Sequence, residues 1–211
     1  MRVLLTGFGR FPGVPFNPSA VLVAALAKRR RPALAAVVRT THVFPTVYAA
    51  VERELPKLFE QPPDIVLMFG VATRRRLICV ETRARNAQSV LFSDASGYQP
   101  QRGAIAPGAP STLRGSASFP TLLAALRGRG VAARLSRDAG RYLCNYAFWR
   151  ALERARGGRP LVQFVHIPPL GLTPQRRYGR RRRLPLGAAV AAAEALLVSV
   201  IAAERRRRLP R

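Results

Sequence analysis

The sequence predicts an α/β protein: a three-layer α/β/α sandwich with a mostly parallel central sheet, in a single domain over residues 1–211. Three observations predict it. Short apolar runs bounded by Gly or Pro alternate with stretches of helical periodicity, which is the rhythm of parallel β-α units. The 211 residues are 48% hydrophobic, enough to pack one core without disulfides or structural metal. No internal repeat and no linker-like stretch divides the chain.

Arg2 to Gly7 reads as the first strand. Asn17-Pro18-Ser19 then starts a helix, with an Asn to cap it and a proline suited by its fixed φ to the first helical position. That helix runs to about Lys28. Leu34 to Val43 reads as a second strand, and Pro45 opens a helix in which Val47, Val51, Leu55 and Leu58 keep one apolar stripe. Asp64 to Gly70 is a continuous apolar run, the pattern of a strand buried on both faces. Leu77 to Arg85 follows as another strand after a basic connection. Residues 86–118, rich in Ser, Gly, Ala and Pro and without a clear period, form a long excursion, a kind of segment that is usually functional or mobile. Regular structure resumes with a helix over Phe119 to Gly128, a strand over Val131 to Ser136, a helix over about Arg141 to Arg156 and a strand over Leu161 to Ile167. Residues 173–183 form a basic loop, and residues 187–204 a closing helix. Its apolar run is shorter than a membrane span and interrupted by Glu194, so it reads as a buried helix and no membrane contact is expected.

Thirty-six Lys and Arg against ten Asp and Glu give a net charge of +26, and only Lys28 and Lys57 are lysines. Such an arginine excess suits a polyanion partner, held by phosphate neutralisation. It also follows from a GC-rich coding sequence, which over-uses Arg, Ala and Pro together. The blocks Arg29 to Arg31, Arg74 to Arg76, Arg180 to Arg183 and Arg205 to Arg208 fall in connections or chain ends without interleaved aromatics, so nucleic acid is expected only as a side partner. Two cysteines cannot build a disulfide framework, and with two histidines they lack zinc spacing. No metal is expected, and the setting reads as reducing and cytoplasmic. The opening MRVLLTGFGRF carries too short an apolar run for a secretory signal.

Scarcity limits the available chemistry. Cys144 lies in Asp138-Ala139-Gly140-Arg141-Tyr142-Leu143-Cys144-Asn145-Tyr146, where a glycine marks a turn and the following residues start a helix. A thiol there meets unpaired amides and the positive end of the helix dipole, which are expected to lower its pKa and make it nucleophilic. The alternative is a small buried core residue. His166, in Phe164-Val165-His166-Ile167-Pro168-Pro169, ends a predicted strand at the edge where open parallel sheets present ligand sites, a good place for a general base. His42 also ends a strand, and location does not choose between them. Glu81 stands in the strand Ile78-Cys79-Val80-Glu81-Thr82-Arg83, where a carboxylate needs a partner. That partner is either an imidazole or, locally, Arg83 and Arg85 on the same side at period two. Cys79 shares this parity and reads as core.

These residues resemble the pyroglutamyl peptidase I (pyrrolidone carboxyl peptidase) family of cysteine exopeptidases, of which the chain looks like a divergent member. Thr6-Gly7-Phe8 with Phe11, Gly13 and Asn17-Pro18-Ser19 is similar to the family's TGFxPFGG…NPS opening. Glu81 with Asn86, Asp94 and Gly97 resembles its acid-bearing segment. Ala139-Gly140-Arg141-Tyr142-Leu143-Cys144-Asn145 is similar to its AGxYxCN motif, and Phe164-Val165-His166-Ile167-Pro168 to its FxHIP motif. The likeness spans residues 2 to about 170. It implies Cys144 as nucleophile, His166 as general base and acid, Glu81 as the group orienting the imidazole, and Phe8 and Phe11 as apolar walls for a lactam ring. The implied reaction is hydrolysis of an amino-terminal pyroglutamyl residue from a peptide through a thioester acyl-enzyme, without metal or cofactor. The implied assembly is a tetramer, which +26 per chain opposes.

The departures concern what surrounds the substrate. Where the family has GQxGGR, the chain reads Gly70-Val71-Ala72-Thr73-Arg74-Arg75-Arg76; where the family carries an arginine before IPDN, it reads Leu91-Phe92-Ser93-Asp94-Ala95; and Pro12 replaces the first glycine of FGG. Val71 and Leu91 therefore remove polar groups expected near the substrate, and Arg83 or Arg85 is a candidate substitute for the missing arginine. The cysteine machinery is expected to persist while pyroglutamyl specificity is less secure. The alternative is a non-catalytic relative that binds a peptide or small lactam through the inherited pocket.

Overall fold

The computed structural model describes residues 1–11, 16–155, 159–171 and 183–208. Among these the chain runs β1 (Arg2–Phe8), α1 (Pro18–Ala27), β2 (Val38–Phe44), α2 (Tyr48–Glu60), β3 (Ile65–Val71), β4 (Ile78–Glu81), β5 (Arg83–Arg85), β6 (Thr112–Arg114), α3 (Phe119–Arg127), β7 (Ala133–Ser136), α4 (Leu143–Arg154), β8 (Leu161–Ile167), β9 (Leu170–Gly171), β10 (Leu184–Pro185) and α5 (Leu186–Arg208). Apart from Arg183, the basic loop at 173–183 lies outside the described residues.

The central sheet has the strand order β2-β1-β3-β8-β4-β7. The first four of these strands are mutually parallel, whereas β4 runs antiparallel to β8 and parallel to β7. β3 and β8 are buried at every position, as their unbroken apolar runs require of strands covered on both faces. Alternation along the strands separates two cores. Val3, Leu5, Leu67, Phe69 and Val165 pack against α1, α3 and α5, while Leu4, Phe8, Val66, Met68 and Phe164 pack against α2 and α4. This is the predicted α/β/α sandwich.

Several boundaries differ from the sequence reading, each for a local reason. The second strand begins at Val38 rather than Leu34, because Pro32–Leu34 forms a 3-10 turn and Ala36 takes a positive φ of 56°. Pro45 precedes the second helix rather than opening it; α2 starts at Tyr48, whose amide donates to the Asp94 carboxylate at 2.9 Å. The strand read from Leu77 to Arg85 is two strands. β4 ends at Glu81, and β5 leaves the main sheet to pair with β6, because Arg83 and Arg85 reach outward to the Arg137 carbonyl and to Asp138 while Ala84 alone is buried in β5. α4 spans Leu143–Arg154, within the predicted 141–156.

α5 extends through Arg205 to Arg208, cations at a helix C-terminus where the dipole favours them. By length and composition α5 is apolar enough to cross a membrane. Here it packs Val190, Leu196, Leu197, Val200 and Ile201 into the core beside α1 and α3. Glu194, buried in the same helix, is held by Arg29 and Arg31.

Candidate active site

A cavity of about 400 Å³ opens at the carboxyl ends of β1, β3 and β8. Phe8, Phe11, Val71, Arg75, Cys144 and His166 are among its lining residues. The sheet sets the first two polar groups. In the antiparallel β4–β8 pair, Glu81 stands opposite Phe164 and Cys79 opposite His166, so Glu81 and His166 are diagonal neighbours on one face. His166 Nδ1 lies 2.8 Å from Glu81 Oε1, with the imidazole nearly buried and the carboxylate fully so. A carboxylate can only accept from this nitrogen. Nδ1 therefore carries the proton and Nε2 is left as the basic nitrogen.

The third group comes from the loop before α4. Gly140 turns the chain with φ 86°, a value that favours glycine, and its amide donates to Asp138 Oδ1 at 3.0 Å. Cys144 follows as the second residue of α4, so its amide has no intrahelical acceptor. The sulfur settles over Gly70: a Cβ on residue 70 would stand 2.7 Å from Cys144 Sγ and 2.9 Å from Cζ of Phe164. Gly70 is also the in-register β3 partner of His166. A missing side chain in β3 thus makes the space for the sulfur in the cavity that the imidazole also lines. No hydrogen bond joins the two, as is common for catalytic pairs without substrate.

The electrostatics correct one expectation. The helix start does not leave Cys144 with a depressed pKa; burial, aided by the nearby Glu81 charge, pushes the thiol up to about 12 against the pull of Arg75 and its own amide. Desolvation against Gly70 and the Phe164 ring outweighs the helix terminus. The resting group is a thiol that needs a base to lose its proton.

Arg75 is the functional residue that sequence reasoning missed. Its Nη1 donates to Glu81 Oε1 at 2.6 Å and to Ser136 Oγ at 3.1 Å, and its Nη2 donates to the Asp138 carbonyl. One guanidinium therefore ties the acid to the loop that leads into Cys144. Arg83 and Arg85, the local partners considered for Glu81, bind Arg137 and Asp138 instead and do not line the cavity. Leu91 is 78% exposed and also lies off the cavity, whereas Val71 is buried in its wall. His42 pairs with Glu54 at 3.0 Å, away from the cavity, and Cys79 is core, its thiol directed to the Leu77 carbonyl.

The excursion is held to elements beside this site without lining the cavity. Asn145, fully buried, donates to the Arg85 and Ala87 carbonyls and accepts from the Arg85 amide, fixing the start of the excursion to α4. Asp94 accepts from the Tyr48 amide and from Ser96 and Tyr98, and Tyr142 donates to the Ser93 carbonyl at 3.0 Å. Among the described residues, no cluster of His, Cys, Asp or Glu is arranged to hold a metal ion.

Known proteins share both sequence and architecture with this chain. A profile of the pyroglutamyl peptidase family matches residues 1–205. The pyrrolidone-carboxylate peptidase of Gloeobacter violaceus is 33% identical over 172 residues, covering 81% of this chain and 82% of that protein. The Pyrococcus furiosus enzyme of the same name is 31% identical over 171 residues, 80% of this chain and 81% of its own length. Pyrrolidone carboxyl peptidase from Thermococcus litoralis superposes with a TM-score of 0.85 at 28% identity, over 100% of this chain and 99% of that one. Bacillus amyloliquefaciens pyroglutamyl peptidase I gives a TM-score of 0.81 at 26% identity, over 96% and 98%. With its fold, its cavity and its sequence all in agreement, the chain belongs to the pyroglutamyl peptidase family.

Proposed function

We propose that this protein is a cysteine exopeptidase that hydrolyses an amino-terminal pyroglutamyl residue from peptides. The observation that carries the reading is the 2.8 Å contact by which buried Glu81 holds His166, whose imidazole lines the same cavity as the Cys144 sulfur. Glu81 holds the imidazole so that Nε2 draws the Sγ proton as the sulfur attacks the pyroglutamyl carbonyl. The tetrahedral oxyanion takes the Cys144 amide as a donor. Collapse breaks the peptide C–N bond, the imidazolium gives its proton to the leaving amine, and a thioester remains. Water, deprotonated by His166, then hydrolyses the thioester and restores the thiol.

A half-buried thiol raised to about 12 fits this sequence, because proton transfer to His166 accompanies attack rather than preceding it. Phe8, Phe11 and Val71 supply apolar walls suited to a compact uncharged lactam. The test is cleavage of a pyroglutamyl reporter beside prolyl and glutamyl analogues. Turnover of the pyroglutamyl substrate alone, abolished by Cys144→Ala and by thiol alkylation, is expected. Full activity in Cys144→Ala overturns the reading, and ligand-dependent stabilisation without any turnover favours a binding protein instead.

A further inference from the structure

Two arginine blocks far apart in the sequence meet in the fold. Arg29 and Arg31, just past α1, both reach Glu194 on α5, at 3.6 and 2.7 Å. Arg205, in the last turn of α5, donates to the Ala35 carbonyl, and Arg208 pairs with Asp64 at the foot of β3. Asp64 also lines a second cavity, of about 500 Å³, together with Arg154 and Arg159. The result is a band of guanidinium groups along the amino-terminal ends of β2, β1, β3 and β8. At the usual spacing of neighbouring strands this band is about 15 Å across, and the strand length sets it about 20 Å from the Cys144 cavity.

Its acids do not balance it. Glu194, Glu204 and Asp64 are each held by arginine, and Glu60 flanks the second cavity. Arg30 and Arg206 are exposed, and neither makes an ion pair or hydrogen bond among the described residues.

We infer that this band binds the phosphate backbone of duplex nucleic acid without reading its sequence. Guanidinium forks match phosphate oxygens in pairs, and a duplex presents one negative charge per ~1.7 Å of axis. Among the described residues the aromatic ring of the band is Phe59, half-buried in the wall of the second cavity, and one recessed ring is a poor platform for successive unpaired bases, which disfavours a single strand. Val38 is its exposed large apolar side chain, too little to seat the protein in an anionic membrane.

The experiment is fluorescence anisotropy of the full chain with a labelled duplex of arbitrary sequence, read against salt. Neutralising about four phosphates weakens binding roughly 10²-fold between about 50 and about 200 mM salt. Arg30→Gln combined with Arg206→Gln is expected to lower the logarithmic salt slope by about 2, with turnover of the pyroglutamyl reporter unchanged. Arg102→Gln, on the excursion, leaves the slope as it is. Absence of binding at the lower salt overturns the inference, and so does binding whose slope the double variant does not alter. Phosphatidylserine vesicles retained as tightly as the duplex overturn it in favour of a membrane surface. Because the readout is duplex binding, its failure leaves the peptidase assignment standing.

Discussion

The position that most constrains the site carries no side chain. Gly70 leaves the space into which the Cys144 sulfur fits, and Phe164 closes the other side of that space. An added methyl would have to displace the sulfur or the ring, and Phe164 is fully buried among Phe8, Phe148 and His166. Gly70→Ala is therefore expected to move Sγ out of line with His166, lowering kcat at least 10-fold, with an overpacking cost of about 1–3 kcal/mol. Reporter kinetics and thermal melting check it together, and a variant with unchanged kcat would mean that the sulfur is not held by this contact. Much of this residue-level arrangement was legible in the sequence. Cys144 and His166 stood in distinctive motifs, and Glu81 was conspicuous as a carboxylate inside a strand. The imidazole partner of Glu81 was legible, but its guanidinium partner was not, because parity along one strand pointed to Arg83 and Arg85, while Arg75 reaches it from a preceding loop. Nor was the sign of the thiol shift: the helix start can be read from Gly140 onward, but the desolvation comes from Gly70 and Phe164, distant in the chain.

At the scale of elements, the excursion over 86–118 is a docked segment rather than a free loop. Asp94 is its anchor. Burial pushes this carboxyl up, but donors from Ser96, Tyr48 and Tyr98 outweigh burial and hold it below its usual value. A depressed carboxyl contributes stability that is present above the usual carboxylate range, near pH ~4, and lost as pH falls through the lower folded value. Asp94→Asn is expected to cost about 1–2 kcal/mol near neutral pH, the scale of a lost helix cap, and to flatten the loss of stability on acidification. Urea unfolding at several pH values reads both effects; equal acid sensitivity in variant and parent would place the titration elsewhere. Composition alone marked this segment as irregular but could not show what holds it. The holding groups are isolated polar side chains, Asp94 and Asn145, that reach the amide of α2 and the start of the excursion across the fold.

For the whole molecule, the layers and the strand sequence were readable because β3 and β8 announce buried strands by their unbroken apolar runs. The reversal of β4 was not, since periodicity carries no direction. The charge of +26 acts at this scale too. Ten carboxylates cannot neutralise thirty-six bases, and two of those carboxylates, Glu194 and Glu204, each already serve two arginines. The remaining cations repel one another in the compact state more than in the expanded chain, and salt screens that repulsion with a Debye length of about 10 Å at 0.1 M. Added salt is therefore expected to stabilise the fold, raising Tm by about 2–4 °C for each kcal/mol of repulsion removed in a chain of this size. Potassium chloride should act through screening alone, and sulfate more strongly, because it is both divalent and excluded from protein surfaces. A Tm that falls as potassium chloride is added would mean that the ion pairs around Glu194, Glu204 and Asp64 contribute more to stability than the net charge takes away.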